Sequence, residues 1–231
     1  MVSPPIPIHH STCELFFEER IAIISIEAVK KKVRQENKME LYLVRHGETK
    51  WNKEGRYYGQ KDIGLSEYGL SQAKKLGTYM KQIVFDKVIS SPLGRAVDTA
   101  KELTDQTIQK EHRLMEQNFG LFEGKTYQEL LEEYPKELRE WNLNHETYCL
   151  PEGESFLDVR RRVESFLEDL KKEEGKILIV AHKGTFGHML AAMMHLPPSG
   201  YWNFVFEQGT YSKIDLQDGF AILRTINRLP E

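Results

Sequence analysis

Cysteine is almost missing from this chain. The two present, Cys13 and Cys149, lie far apart and in no metal-ligand spacing. That excludes a disulfide-built scaffold and a cysteine zinc site, and it makes a reducing compartment, the cytoplasm, the expected location. Long apolar runs are also missing, and none approaches the roughly 20 residues needed to span a bilayer. Nor is there an excess of one charge. The 32 basic and 35 acidic residues leave a formal charge of -3, so nothing points to nucleic acid or an anionic membrane as partner. His9, His10, His112 and His145 stand in no metal-binding pattern, so neither a metal nor a cofactor is implied. Internal repeats and low-complexity blocks are absent.

What is present is an ordinary globular composition, 40% hydrophobic and 29% charged over 231 residues, enough for one sizeable domain. The start of the chain stands apart. Ser3-Pro4-Pro5-Ile6-Pro7 continues neither a helix nor a central strand. The apolar stretch Ile21 to Val29 is followed, not preceded, by Lys30-Lys31-Lys32, the reverse of a secretory signal. Residues 1–38 are therefore expected to be a peripheral extension, and residues 39–231 the domain.

From Met39 onward strands and helices alternate. Glu40 to Val44 reads as a strand that stops at Arg45-His46-Gly47. Ser66 is an N-cap for a helix reaching Met80, with Leu70, Ala73, Leu76 and Met80 on one stripe. Asp86 to Ser90 is a second strand, and Pro92 suits the first turn of a helix running through Leu103. Thr126 and Glu129 form a capping box for a helix that ends before Pro135. Ser155 opens another helix, and Ile177 to Val180 reads as a strand buried on both faces. A helix follows from Gly184, and Tyr201 to Phe206, Tyr211 to Leu216 and Ala221 to Thr225 read as strands. This order predicts the α/β class: a single-domain, open, mostly parallel sheet with helices on both faces. Ligands bind such sheets beyond the carboxyl ends of the strands. Three polar clusters fall at those ends: Arg45-His46, Ser90-Ser91 leading to Arg95, and Ala181-His182.

The ordered series of motifs carries a family resemblance. Arg45-His46-Gly47-Glu48-Thr49 is followed by Asn52, by Ser90-Ser91-Pro92-Leu93-Gly94-Arg95-Ala96, and by Leu114-Met115-Glu116-Gln117-Asn118-Phe119-Gly120-Leu121-Phe122-Glu123-Gly124. Pro151-Glu152-Gly153-Glu154-Ser155 and Val180-Ala181-His182 complete it. The series resembles the histidine phosphatase superfamily, also called phosphoglycerate mutase-like, from Met39 to about Thr225. The resemblance implies that His46 is a nucleophile forming a phosphohistidine, and that Arg45, Asn52, Arg95 and His182 bind the transferring phosphate. It implies that Glu116 is the proton donor, protonated when the ester binds and a base toward water afterwards. Forked, charge-assisted bonds from the arginines suit the equatorial oxygens of a phosphoryl group in flight. Amides opening the helix after His182 would add to that field.

The implied partner is a small-molecule phosphate monoester, and the oligomeric state stays open. Cofactor-dependent mutases of the family carry paired arginines after a tryptophan of the middle segment. Here Asn142 and Leu143 follow Trp141, so hydrolysis is expected. Tyr57 to Ser66 and Asn118 to Gly124 are similar to α-ribazole phosphatases of cobalamin biosynthesis, implying α-ribazole 5′-phosphate as substrate. A broad-specificity sugar or acid phosphatase shares the pattern and is the alternative, ahead of a phosphoglycerate mutase and of an inactive binding module. Among the remaining residues, Tyr57, Tyr58, Phe119 and Phe122 are candidates to line a leaving-group pocket. Glu48 and Ser91 are expected to buttress the site, and Arg160-Arg161-Arg162 to form a solvated helix face. Lys183 is left between substrate contact and solvent, and His188 is expected to be structural.

Overall fold

The computed structural model describes residues 38–217 and 219–230. The expected extension lies outside these residues except for Lys38, which opens the first strand. Six strands form one sheet: β1 (Lys38–Arg45), β2 (Lys87–Ser90), β3 (Gln109–Lys110), β4 (Gly175–Ala181), β5 (Tyr211–Gln217) and β6 (Phe220–Arg228), in the order β3-β2-β4-β1-β5-β6. β1, β2, β3 and β4 run parallel, whereas β5 and β6 pair antiparallel. The α-helices among the described residues are α1 (Lys50–Lys53), α2 (Glu67–Met80), α3 (Gly94–Leu103), α4 (Tyr127–Glu133), α5 (Pro135–Leu143), α6 (Phe156–Leu170) and α7 (Lys183–Met193).

Side chains alternate across a strand, and each face of this sheet has its own core. Tyr42, Val44, Val88, Leu178 and Val180 pack with Leu76 and Met80 of α2 and Ala96, Ala100 and Leu103 of α3. Leu41, Leu43, Ile89, Ile177 and Ile179 pack with Val159, Val163 and Phe166 of α6 and Phe186, Met189 and Leu190 of α7. The continuous apolar run of β4 is thus a strand covered on both sides, as its sequence predicts. A third, smaller cluster joins Phe122, Leu130, Leu138 and Leu150, with Tyr57, Phe119 and Trp141 packed against it.

Helix starts follow the expected side chains. Ser66 accepts from Gly69 N, and the Thr126–Glu129 pair closes a capping box. Ser155 and Asp158 close another at α6. Two expectations fail: Pro92 lies ahead of the first turn of α3, whose N-cap is Leu93, and Tyr201 to Phe206 is not a strand. Pro197 and Pro198 lead into a 3-10 helix over Pro198–Asn203, followed by irregular chain. Its aromatic residues serve packing instead, with Tyr201 against Phe156 and His188, and Phe206 against Phe186. Several short elements were not foreseen: α1, the two-residue β3, the 3-10 turns His112–Leu114 and Gly120–Phe122, and α5, which starts on Pro135 at its first turn. Among the described residues no helix is long and apolar enough to cross a membrane.

Candidate active site

The parallel register decides what meets at the carboxyl edge. Arg45 lies opposite Ala181, and Ser90 opposite Val180, so the three polar clusters leave the sheet side by side. His46 N donates to Ala181 O at 3.0 Å, and the two imidazole rings of His46 and His182 lie 5.1 Å apart. His46 Nδ1 is 2.7 Å from the Gly47 carbonyl oxygen. A carbonyl only accepts, so Nδ1 carries the proton and Nε2 presents a lone pair. Gly47 has no room for a side chain, because a Cβ there would sit 2.4 Å from Gly69 O. Its N–H donates to Thr99 Oγ1 at 3.1 Å, and that hydroxyl donates to Arg95 O at 2.8 Å, tying the turn to α3.

Two guanidinium groups flank this imidazole in the same cleft. Arg45 Nη1 donates to Phe206 O at 2.8 Å. Arg95 is fully buried and donates from Nη1 to Lys61 O and from Nη2 to Gly59 O, at 3.0 and 2.5 Å. Its guanidinium lies 4.8 Å above the Tyr58 ring. The Nε atoms of both arginines, and Nδ1 of His182, are buried without a partner among the described residues. An unpaired buried N–H costs about 1–3 kcal/mol, and an oxyanion between the arginines would satisfy their two. His182 Nε2 pairs with Ser91 Oγ at 2.8 Å, and Glu48 accepts from Ser66 Oγ at 2.9 Å, the buttressing expected of Ser91 and Glu48.

Asn52 joins the same cleft. Its Oδ1 accepts from Thr49 N at 3.0 Å, Tyr58 Oη at 2.6 Å and Gln208 Nε2 at 2.8 Å. With the oxygen so occupied, the amide NH2 is the group left to face a ligand. Glu123, a member of the motif with no role assigned from sequence, holds the loop beside Arg95. Its carboxylate accepts from the backbone N–H groups of Gly59, Gln60, Lys61 and Phe119, at 3.0, 2.7, 3.0 and 3.2 Å. The carbonyls of that loop are the ones Arg95 grips. Glu116 enters from the segment before Gly120–Phe122, with Oε1 accepting from Gln117 N and Oε2 from Gly184 N, both at 3.0 Å. A Cβ on Gly184 would come within 2.2 Å of Glu116 Oε1, so only glycine lets this carboxylate sit at the start of α7.

The cleft encloses about 320 Å³. Beyond the groups already named it is lined by Arg56, Tyr57, Phe119, Lys183, His188 and Tyr201. Tyr57, Phe119 and Trp141 stand edge to face, with centroids 5.7, 5.6 and 6.3 Å apart, giving one wall an aromatic surface. Phe122, by contrast, is core. The arginine triplet of α6 departs from expectation. Only Arg161 is solvated; Arg160 and Arg162 turn inward, with Arg160 donating to the His188 and Leu196 carbonyls.

Burial, reinforced by Arg95 and Arg45, holds His46 well below its usual 6.5, and burial with Arg95 and His46 does the same to His182. Burial beside Arg160 brings His188 down to about 3. A histidine depressed in the folded state leaves the unfolded chain binding more protons once pH falls below 6.5, so stability present above that value is lost on acidification. The melting temperature is expected to fall by at least about 3 °C between about pH 7 and pH 5, above the carboxylate range. Thermal melts across that interval check this, and a flat profile would count against neutral buried imidazoles.

Comparison with known proteins adds the family. The profile described as histidine phosphatase superfamily (branch 1) matches residues 41–228. The chain belongs to that superfamily. It is 36% identical over 194 residues to the adenosylcobalamin/alpha-ribazole phosphatase of Salmonella typhimurium, covering 82% of this chain and 96% of the relative. It is 32% identical to phosphoserine phosphatase 1 of Hydrogenobacter thermophilus, covering 82% and 92%. Among solved structures it resembles the alpha-ribazole phosphatase from Shigella flexneri with a TM-score of 0.79 at 33% identity, covering 84% of this chain and 99% of that one. This histidine phosphatase therefore carries His46, Arg45, Asn52, Arg95 and Glu116 on one cleft, with His182 buried against His46.

Proposed function

We propose that this histidine phosphatase hydrolyses phosphate monoesters through a phosphohistidine on His46, with α-ribazole 5′-phosphate as its substrate. The observation that carries the chemistry is the Nδ1–H bond of His46 to the Gly47 carbonyl, which leaves Nε2 as a neutral nucleophile beside the two arginines. In the first step Nε2 attacks phosphorus while the ester P–O bond breaks. The leaving oxygen keeps the electron pair and takes the proton of Glu116. In the second step water attacks phosphorus, gives a proton to Glu116, and the P–N pair returns to His46. Arg45, Arg95, the Asn52 amide and His182 Nδ1 hold the phosphoryl oxygens through both.

The aromatic wall of Tyr57 and Phe119 supports a flat, benzimidazole-bearing leaving group such as α-ribazole, which appears in the names of the Salmonella and Shigella relatives. A second reading has its own observation. Lys183 lines the cleft and forms no ion pair among the described residues, which favours a substrate with a further anionic group, such as phosphoserine. Comparison of kcat/KM on α-ribazole 5′-phosphate, phosphoserine, 3-phosphoglycerate and glucose 6-phosphate separates them. The α-ribazole ester is expected to lead by about tenfold, the worth of one stacked aromatic contact. Equal values would end the proposal, and a lead for phosphoserine would establish the second reading.

A further inference from the structure

Arg162 was expected on a solvated face of α6, and the structure puts it to a different use. Nη1 donates to the carbonyls of Arg113 and Met115 at 2.7 and 2.6 Å, and Nη2 to the carbonyl of Glu116 at 3.1 Å. Nε donates to Glu154 Oε1 at 2.9 Å, and Nη2 also to Glu154 Oε2 at 3.1 Å. A guanidinium has five N–H groups, and here every one has a partner. Three of those partners are consecutive or near-consecutive carbonyls of the segment that carries Glu116. Glu154 closes the bracket from the other side, accepting from Asn118 N at 2.9 Å, while its backbone N–H donates to Asn118 O at 2.8 Å. Thr185 of α7 adds its hydroxyl to Met115 O at 2.9 Å.

This segment has no ladder or helix of its own at Glu116. Its geometry is set from outside: Arg162 makes three of the side-chain bonds to its carbonyls, Thr185 two and Gln60 Nε2 one. We infer that Arg162, paired with Glu154, is a positioning residue that fixes the Glu116 carboxyl where the leaving oxygen departs. The inference rests on the reading of Glu116 as the proton donor. Because kcat/KM reports the steps up to formation of the phosphoenzyme, misplacing the donor slows P–O cleavage in proportion to how much the leaving oxygen needs a proton. An alkoxide needs it; p-nitrophenolate leaves without one.

The test compares Arg162→Lys and Glu116→Gln in the full chain on p-nitrophenyl phosphate and on glycerol 2-phosphate. Lysine keeps the charge opposite Glu154 but offers three donors for five partners. A displacement of about 1 Å can cost on the order of 100-fold. R162K is therefore expected to lose about 100-fold in kcat/KM on the alkyl ester and about tenfold less than that on the aryl ester, with E116Q showing the same asymmetry more strongly. Thermal melts of R162K accompany the kinetics, since a loosened fold lowers both substrates together. Asymmetry in both variants supports the inference. Asymmetry in E116Q with equal losses, or none, in R162K overturns it and leaves Glu116 in place. Symmetric losses in E116Q overturn the proton-donor reading and the inference with it.

Discussion

His46→Ala is expected to abolish turnover, lowering kcat by on the order of 10⁴-fold or more, as removal of a nucleophile that cannot be bypassed does. The reason lies in how completely the ring is prepared. Its Nδ1 proton is held by Gly47, its N–H anchors on Ala181, and burial between Arg95 and Arg45 keeps it unprotonated at neutral pH. No other described group combines these properties at the sheet edge. His182 is neutral too, but its Nε2 is spent on Ser91. The same variant should fail to trap label from a ³²P-phosphate ester, whereas the unaltered enzyme, quenched in alkali, retains an acid-labile phosphoenzyme. Retention of that labelled species in the alanine variant would falsify the assignment.

Arg95→Lys comes next in size. The arginine grips the carbonyls of Gly59 and Lys61 with its Nη atoms and keeps a buried Nε without a protein partner among the described residues, the donor that the proposed mechanism gives to the phosphoryl group. An ammonium has no fork, so it cannot hold the loop and the substrate at once. Loss of one preorganised donor from a transition-state site costs about 10²–10³-fold, and that range is expected here in kcat/KM for every ester tried. The melting temperature should fall as well, because a buried carbonyl of the loop loses its donor. Steady-state kinetics with circular dichroism melts checks both, and a loss under tenfold would show that Arg45 and Asn52 suffice.

Much of this could be read from the residues alone, because the features concerned are local. Strand ends marked by His46, Ser91 and His182, the capping box at Thr126 and the helix opening at Ser155 depend on neighbours within a few positions, and a parallel sheet then brings the ends together. Features set by distant partners were less legible. Tyr201 to Phe206 has strand-like composition, yet its rings are used against Phe156, His188 and Phe186, so no ladder forms. Arg162 was the larger miss, and a signal did exist. It lies three residues after Val159 and four before Phe166, hence on the buried stripe of α6. An arginine on an apolar stripe has to find partners, and only tertiary structure names them. Glu123 hid for the same reason, since nothing local tells a carboxylate that it will gather four amides.

The third hydrophobic cluster has a consequence for how such a chain diversifies. It shares no buried residue with the two cores that flank the sheet, yet it backs the aromatic wall where a leaving group would rest. Substitutions can therefore accumulate around Trp141 and Tyr57 without disturbing the strand ends that carry His46 and Arg45. Lineages built on this plan are free to drift in what they accept while inheriting one reaction unchanged, and neighbouring relatives carrying different substrate names are the expected outcome.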